Sequence, residues 1–279
     1  ILAGFIYYKK YHTPPATALK AIPSDAVFVL EGKLNNAIIS TIANSSFINN
    51  FIDLEYAENL KERLNSFQKQ LNSDASFKNK IEKEGITISV HAVKVDEFDF
   101  VYYLTNASQL SSDDINNKIS LLFDSVENET MRSYVDVDVH DLQFKNSTKT
   151  FTYAVHADIL IASSTPFLVE DALRQLKAGK PINSQESFKS LSLSKNSSDL
   201  SFYINYKNLP KWISTFCATG SNHDFDNIEN FADWSKLGIS LKNNLIQLNG
   251  ITLTADTGSF LNLFEGQKPK NIKSFEVLP

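Results

Sequence analysis

Residues 150–166 read TFTYAVHADILIASSTP, and they indicate the fold of this chain more clearly than any other stretch. Apolar and polar side chains alternate from Thr150 to Val155, and an apolar run follows from Ile159 to Ser163, which is typical of two neighbouring strands. A tight turn at 156–158 joins these strands. Thr165-Pro166 then begins a helix, because proline is favoured at the first helical position.

Similar patterns recur on both sides of this stretch. Further strands are predicted at 26–30, 86–90, 98–104, 134–144, 200–205, 236–242 and 245–254. Helices are predicted at roughly 34–82, 111–126, 165–178, 207–218 and 257–264. The fold class is therefore α+β, with mainly antiparallel hairpins and packed helices. We interpret residues 21–130 and 131–265 as two related α+β subdomains that share one sheet.

The first eleven residues, ILAGFIYYKKY, resemble the end of a membrane-spanning helix. An apolar run meets interfacial tyrosines and then two lysines, which is the order expected where a helix leaves a bilayer. We predict that residues 1–11 end a transmembrane anchor and that residues 12–20, with Pro14-Pro15, form a linker. A short buried strand or helix is the alternative. Residues 266–279 are predicted to lead into a further C-terminal region.

Composition narrows the range of functions. The net charge is −5 and the estimated pI is 5.6, which argues against nucleic acid as a partner because neutralising phosphates takes a basic face. Neither a glycine-rich nucleotide-binding loop nor a hydrolase motif is present. The one cysteine, Cys217, lies on an apolar helix face and is interpreted as a small buried hydrophobe. We assign no catalytic residue and no cofactor.

The strongest candidate for a metal site is the strand that contains Asp136, Asp138 and His140. Residues two apart in a strand project to one face, so two carboxylates and an imidazole could share a divalent cation. The alternative is a half-exposed strand whose polar face is in water. The same alternation fits both interpretations.

Three weaker candidates have ordinary structural alternatives. Residues 223–227, HDFDN, suggest a Ca²⁺ loop but lack the glycine of an EF-hand, so a polar loop before a helix is the alternative. His91 is predicted on the outer face of a hairpin, as a binding residue or as a solvated histidine. Tyr102 and Tyr103 fall on opposite faces of one strand and cannot form a single stacking surface.

Several short phrases resemble an uncharacterised family of membrane-anchored envelope proteins of Bacteroidota, whose members carry a domain of unknown function. The phrases are Ala21–Ala26 before an apolar strand, Ile88–His91, Ile159–Ser164 leading into Leu168–Glu170, and Phe264–Pro269 ahead of Val277–Pro279. The resemblance implies a membrane anchor, a periplasmic α+β region and a further C-terminal region. It implies no catalytic residues.

Three functions remain open. The first is a non-enzymatic, membrane-tethered periplasmic domain that acts as a scaffold or protein-binding subunit of an envelope complex, with other envelope proteins as partners. The second is a metal-dependent hydrolase that uses Asp136, Asp138 and His140. The third is a carrier of lipid or of another small molecule, for which the twenty phenylalanines could line an apolar cavity.

Overall fold

The computed structural model describes most of the chain between Ala18 and Lys268. The described ranges are 18–44, 65, 67–69, 71–94, 97–122, 125–145, 150–178, 182–194, 198, 200–214, 225–242, 245–254 and 258–268. The predicted anchor at 1–11 lies outside them. No helix within these ranges is long and apolar enough to cross a membrane.

The strands form one antiparallel sheet. They are β1 (Phe28–Gly32), β2 (Ile86–Lys94), β3 (Glu97–Thr105), β4 (Val126–Tyr134), β5 (Val137–Phe144), β6 (Thr150–His156), β7 (Ile159–Ser163), β8 (Leu200–Asn205), β9 (Trp234–Lys242) and β10 (Leu245–Leu253). Their order across the sheet is β10-β9-β8-β1-β2-β3-β7-β6-β5-β4. The α+β class and the mainly antiparallel pairing predicted from sequence are confirmed.

Helices lie between the strands along the chain. Those whose two ends the structure describes are α1 (Asn36–Ala43), α2 (Ala75–Glu84), α3 (Ser112–Leu122), α4 (Pro166–Ala178), α5 (Glu186–Leu193) and α6 (Leu209–Ser214). Asn35 and Asp74 cap the first two, because each side chain accepts a hydrogen bond from a backbone N–H of the first turn. Short 3-10 turns occur at Ala18–Lys20, Ile182–Ser184, Asp226–Asn230 and Phe260–Phe264.

Both faces of the sheet are packed against helices, which gives three layers. On the first face, here face I, Val101, Tyr103 and Ile161 of the sheet belong to one core with Leu168 and Leu173 of α4. On the opposite face, face II, a second core gathers apolar residues of the sheet and of α1, α2 and α3. These are Leu142, Phe144, Phe151 and Leu160 with Ile39, Phe77, Ile81, Ile115 and Ile119.

The predicted halves interleave in this sheet. Strands β1, β2 and β3 are central, and strands from later in the chain pair with both sides of them: β8 pairs with β1 and β7 with β3. The predicted boundary at 130/131 falls inside β4. The relation between the two halves stays a prediction.

The chain enters this fold through a short segment that is firmly held. Ala18–Lys20 form a 3-10 turn with Ala18 and Leu19 buried, so the last three residues of the predicted linker belong to the folded body. Asn205 Nδ2 donates to the carbonyl of Ala26 at 3.0 Å, and Asn208 Nδ2 donates to that of Ser24 at 3.1 Å. Backbone bonds then join Val27 to both β2 and β8.

The sequence patterns predict most strands, but they miss two elements and join α1 and α2, which the structure separates, into one helix at 34–82. The hairpin of β6 and β7 and the pairing of β9 with β10 are as predicted. The predictions give residues 127–133 of strand β4 no element, because the sequence VENETMRSY lacks regular apolar alternation. Helix α5 was missed as well, since eight residues rich in serine give a weak helical signal.

Gly85 provides a test of the packing between α2 and β1. It ends α2 with φ 87° and ψ −178°, a conformation that is essentially restricted to glycine. A Cβ there would lie 2.7 Å from the carbonyl oxygen of Gly32. We expect Gly85→Ala to lower the free energy of unfolding by roughly 2–4 kcal/mol, measured by urea denaturation.

Gly266→Ala is the matched control, because Gly266 also has a positive φ, of 75°, but its Cβ would meet nothing within 4 Å. We expect it to cost only about 1 kcal/mol. Equal losses for the two variants would show that the contact with Gly32 does not determine the stability.

Candidate functional site

The predicted metal strand does not hold its three residues on one face. Asp136 precedes β5 and lies in the β4–β5 turn with φ 57°, where its carboxylate accepts a hydrogen bond from Lys177 Nζ of α4 at 3.0 Å. Asp138 and His140 lie within β5. The prediction that all three project together is wrong, because the strand begins one residue after Asp136.

His140 is bound to a different carboxylate. Its Nδ1 lies 2.6 Å from Oε1 of Glu129 on the neighbouring strand β4, and its ring stacks on Tyr153 with centroids 4.6 Å apart. Asn116 of α3 donates to the other oxygen of Glu129 at 2.6 Å. Burial raises the pKa of Tyr153 to about 12. Within the described ranges, no group of three or more His, Cys, Asp or Glu side chains could hold a metal ion.

His91 occupies the interior instead of the predicted outer face. It is fully buried on face I, with Nε2 2.7 Å from Ser89 Oγ and Nδ1 3.2 Å from Oδ1 of Asp25. Ser89 Oγ also lies 3.2 Å from the Tyr103 hydroxyl. The prediction failed because His91 alternates with apolar residues just as a solvated residue would, although helices cover both faces of this sheet.

The order Asp25–His91–Ser89 has the connectivity of a serine hydrolase triad, but its burial is reversed. In a working triad the serine is reachable and the aspartate is buried. Here Ser89 and His91 are fully buried, while the Asp25 side chain is 54% exposed. A substrate carbonyl cannot reach Ser89 in this arrangement. We therefore interpret the three hydrogen-bonded residues as a structural network that joins the segment before β1 to β2.

A second polar cluster lies further along face I. Tyr203 donates to Oε2 of Glu31 at 3.2 Å, and Lys236 Nζ lies 5.6 Å from the centre of the Tyr203 ring. Burial raises the pKa of Glu31, although Tyr203 and Lys236 act in the opposite direction. Lys236 donates to the carbonyl of Ser194 at 2.8 Å, which ties α5 to the sheet.

The remaining predicted candidates divide into two groups. Tyr102 and Tyr103 do lie on opposite faces: Tyr103 belongs to the core of face I, and Tyr102 packs with that of face II. Cys217 and the first two residues of the 223–227 segment lie outside the described residues. From that segment, Asp226 and Asn227 begin a 3-10 turn.

The two ends of the sheet differ in charge. Strand β4 carries Glu127, Glu129 and Arg132, and charged side chains commonly protect an exposed edge against pairing. Strand β10, LIQLNGITL, contains no charged residue in nine positions. Leu248 and Ile251 are 50% and 48% exposed, and Ile246 is also exposed.

Exposed aromatic residues adjoin the end of β10. The backbone N–H of Leu261 donates to the carbonyl of Phe231, and Phe231 stacks on Phe260 with ring centroids 5.7 Å apart. Phe260, Leu263 and Phe264 are at least half exposed, and we call these three residues the Phe260 cluster. Phe231 and Phe260 line an open apolar depression with Asn227 and Ile228.

The candidate functional site is therefore a surface, formed by the outer edge of β10 and the Phe260 cluster. The side chain of Thr254, which follows β10, contacts the side chain of Asn262 in the 260–264 turn. The edge of β10 and the Phe260 cluster are therefore neighbours. The available sequence signal was the absence of charge from 245 to 253 at the end of the last hairpin. Comparisons with protein-family models, with curated proteins and with solved structures find no match to this chain.

Ser89 gives a direct test of the structural interpretation of the buried triad. A fluorophosphonate probe should not label the folded protein, because Ser89 has no exposed surface. Intact-protein mass spectrometry would measure the labelling, with an active serine hydrolase treated in parallel. Stoichiometric labelling that disappears in Ser89→Ala would contradict this interpretation.

Asp25 predicts a dependence of stability on pH. Burial acts to raise its pKa, but the hydrogen bond and charge of His91 outweigh burial, and the pKa lies below its ordinary value of 3.8. The ionised carboxylate therefore contributes stability that is fully present above that value and is lost as the pH falls through the lowered pKa. We expect Asp25→Asn to be less stable than wild type at pH 7.

That stability difference should shrink below about pH 4, as the wild-type carboxylate becomes protonated. Urea denaturation at pH 7 and pH 3 would measure it, with Asp138→Asn as a control at an exposed position. A difference that is the same at both pH values would show that the Asp25 charge does not stabilise the fold.

Proposed function

We propose that this protein is a non-enzymatic, membrane-tethered domain of the cell envelope that binds another protein through the edge of β10. The single observation that carries the proposal is the uncharged, exposed edge at one end of the sheet. The partner is an extended segment of another envelope protein, which adds a strand next to β10.

The backbone of β10 supports this mode of binding. A strand at the end of a sheet has outward N–H and C=O groups without a neighbouring strand, and a partner strand can satisfy them. Among the described strands, only β9 pairs with β10. Side chains of the added strand would contact Leu248 on one face and Ile251 on the other, because successive residues point to opposite faces.

The size of the edge favours an extended segment over a second folded domain. Nine residues of strand span about 30 Å, and a sheet is roughly 10 Å deep, which gives a footprint of about 300 Å². Stable interfaces between folded proteins usually bury about 800 Å² on each partner. A single added strand needs only the smaller footprint of the β10 edge. Residues beyond the end of that strand could then contact the Phe260 cluster.

The charges of the chain favour an uncharged or basic segment. The protein carries a net charge of −5, while the edge itself has no charged side chain. An acidic segment would meet long-range repulsion and would leave its carboxylates against apolar side chains. We therefore expect the partner segment to be apolar, extended and without Asp or Glu at its centre.

The tether is supported by the sequence alone. Residues 1–11 have the pattern of a helix end at a bilayer, and the residues that the structure describes start with the buried turn Ala18–Lys20. The hydrolase alternative lacks comparable support, because Asp136 does not share a face with Asp138 and His140. The carrier alternative needs an enclosed cavity, and the depression beside Phe260 does not itself provide one, because it is open.

Photocrosslinking in intact cells tests the proposal. p-Benzoylphenylalanine at Asn249 of β10 should crosslink to an identified envelope protein, at a segment that mass spectrometry maps as uncharged. The same group at Asn128 of β4 is the matched control and should not capture that protein. Leu248→Lys should lower the Asn249 crosslink at least tenfold, because a lysine would oppose strand addition there.

Asn128→Lys on the opposite edge should leave the crosslink unchanged, and circular dichroism would establish that both variants fold. Equal crosslinking from the two edges would contradict the proposal. Crosslinks from Asn249 only to a second copy of the chain would overturn the choice of partner.

A further inference from the structure

A methionine and a histidine face each other on the opposite edge of the sheet. Val135 and Asp136 both have positive φ, of 44° and 57°, and form the two-residue turn that joins β4 to β5. Met131 of β4 lies directly opposite His140 of β5. Hydrogen-bonded and non-hydrogen-bonded pairs alternate from the turn onward, and the pair of Met131 and His140 is a non-hydrogen-bonded one. In such a pair the Cα atoms are about 4.5 Å apart and the side chains approach closely.

The imidazole of His140 is held in one orientation. Glu129 accepts a hydrogen bond from Nδ1 at 2.6 Å, and Tyr153 stacks on the ring with an interplanar angle of 5°. Asn116 in turn fixes Glu129. A carboxylate that accepts from one ring nitrogen leaves the lone pair of a neutral imidazole on the other nitrogen, as carboxylates do for metal-binding histidines.

Nε2 of His140 is therefore the ring nitrogen whose lone pair can bind a metal ion. This nitrogen has no hydrogen-bond partner among the described residues, and it is not completely buried. The thioether of Met131, the only methionine of the chain, lies on an edge strand and is 66% exposed. The His140 side chain is 15% exposed, and its residue pairs directly with Met131 on the neighbouring strand.

We propose that Met131 and His140 bind a soft monovalent metal ion, Cu(I), through Sδ and Nε2. Thioethers select Cu(I) over harder ions, and imidazole is also a good copper ligand. Cu(I) accepts two or three ligands, whereas a zinc site needs at least three protein side chains. The described residues offer no such group of His, Cys, Asp and Glu. The proposal does not depend on β10, which is at the other end of the sheet.

Anaerobic titration with Cu(I), with bicinchoninate as competitor, tests this site. We expect one ion per chain, and Met131→Leu and His140→Asn should each weaken binding at least tenfold. Glu129→Gln should weaken it by about 10- to 100-fold, the usual effect of removing a carboxylate that orients a ligand. His156→Asn is the matched control on β6 and should have no effect.

A second measurement does not depend on variants. With ¹³C-methyl methionine and the initiator removed, the wild-type chain gives one methyl signal in NMR spectra, from Met131. This signal should shift on addition of Ag(I), a stable substitute for Cu(I), and should not shift with Zn(II). An unchanged methyl signal, or equal Cu(I) affinity in Met131→Leu, would overturn the proposal.

Discussion

The requirement that backbone N–H and C=O groups find partners shapes this protein more than any side chain does. An open sheet satisfies this requirement everywhere except along its two outer strands. Helices pack on both faces of the ten-stranded sheet, and its two outer strands are where the chain can meet its surroundings through backbone pairing. One end, β4, carries charge, and the other, β10, carries none. The proposed binding site follows from this difference.

Buried polar networks connect the entry of the chain to the middle of the same sheet. Asp25, His91, Ser89 and Tyr103 form a hydrogen-bonded series from the surface to the core of face I. Two asparagines at the end of β8 hold the backbone around Ser24. A buried network with all its members paired favours one arrangement of the core. The proposed tether would therefore attach to β1, from which only β8 and β9 separate β10.

Much of the fold could be predicted because most strands combine apolar alternation with clear turns. The exceptions have physical causes. Strand β4 lies at a sheet end with most of its side chains in water, so its sequence carries no apolar period. The exterior position predicted for His91 is wrong, because alternation identifies one face of a strand without showing whether helices cover it. The strand predicted to contain Asp136 begins after it, because the turn at Val135 and Asp136 lacks the glycine that usually marks such a turn.

The candidate surface was not predictable from local patterns. An uncharged strand inside a sheet and an uncharged strand at its end have the same sequence, and only the order of strands distinguishes them. The pairing of His140 with Glu129 likewise depends on the register between β4 and β5. Both features required the topology, which a single sequence does not determine.

Exchange of backbone amides for deuterium reports whether β10 is covered by a partner strand. In the isolated domain, the outward amides of β10 should exchange quickly, since no described strand pairs with that side. In complexes extracted gently from native membranes, the same amides should become strongly protected, while the outward amides of β4 should not change. Fast exchange along β10 in both preparations would contradict a partner strand at this edge.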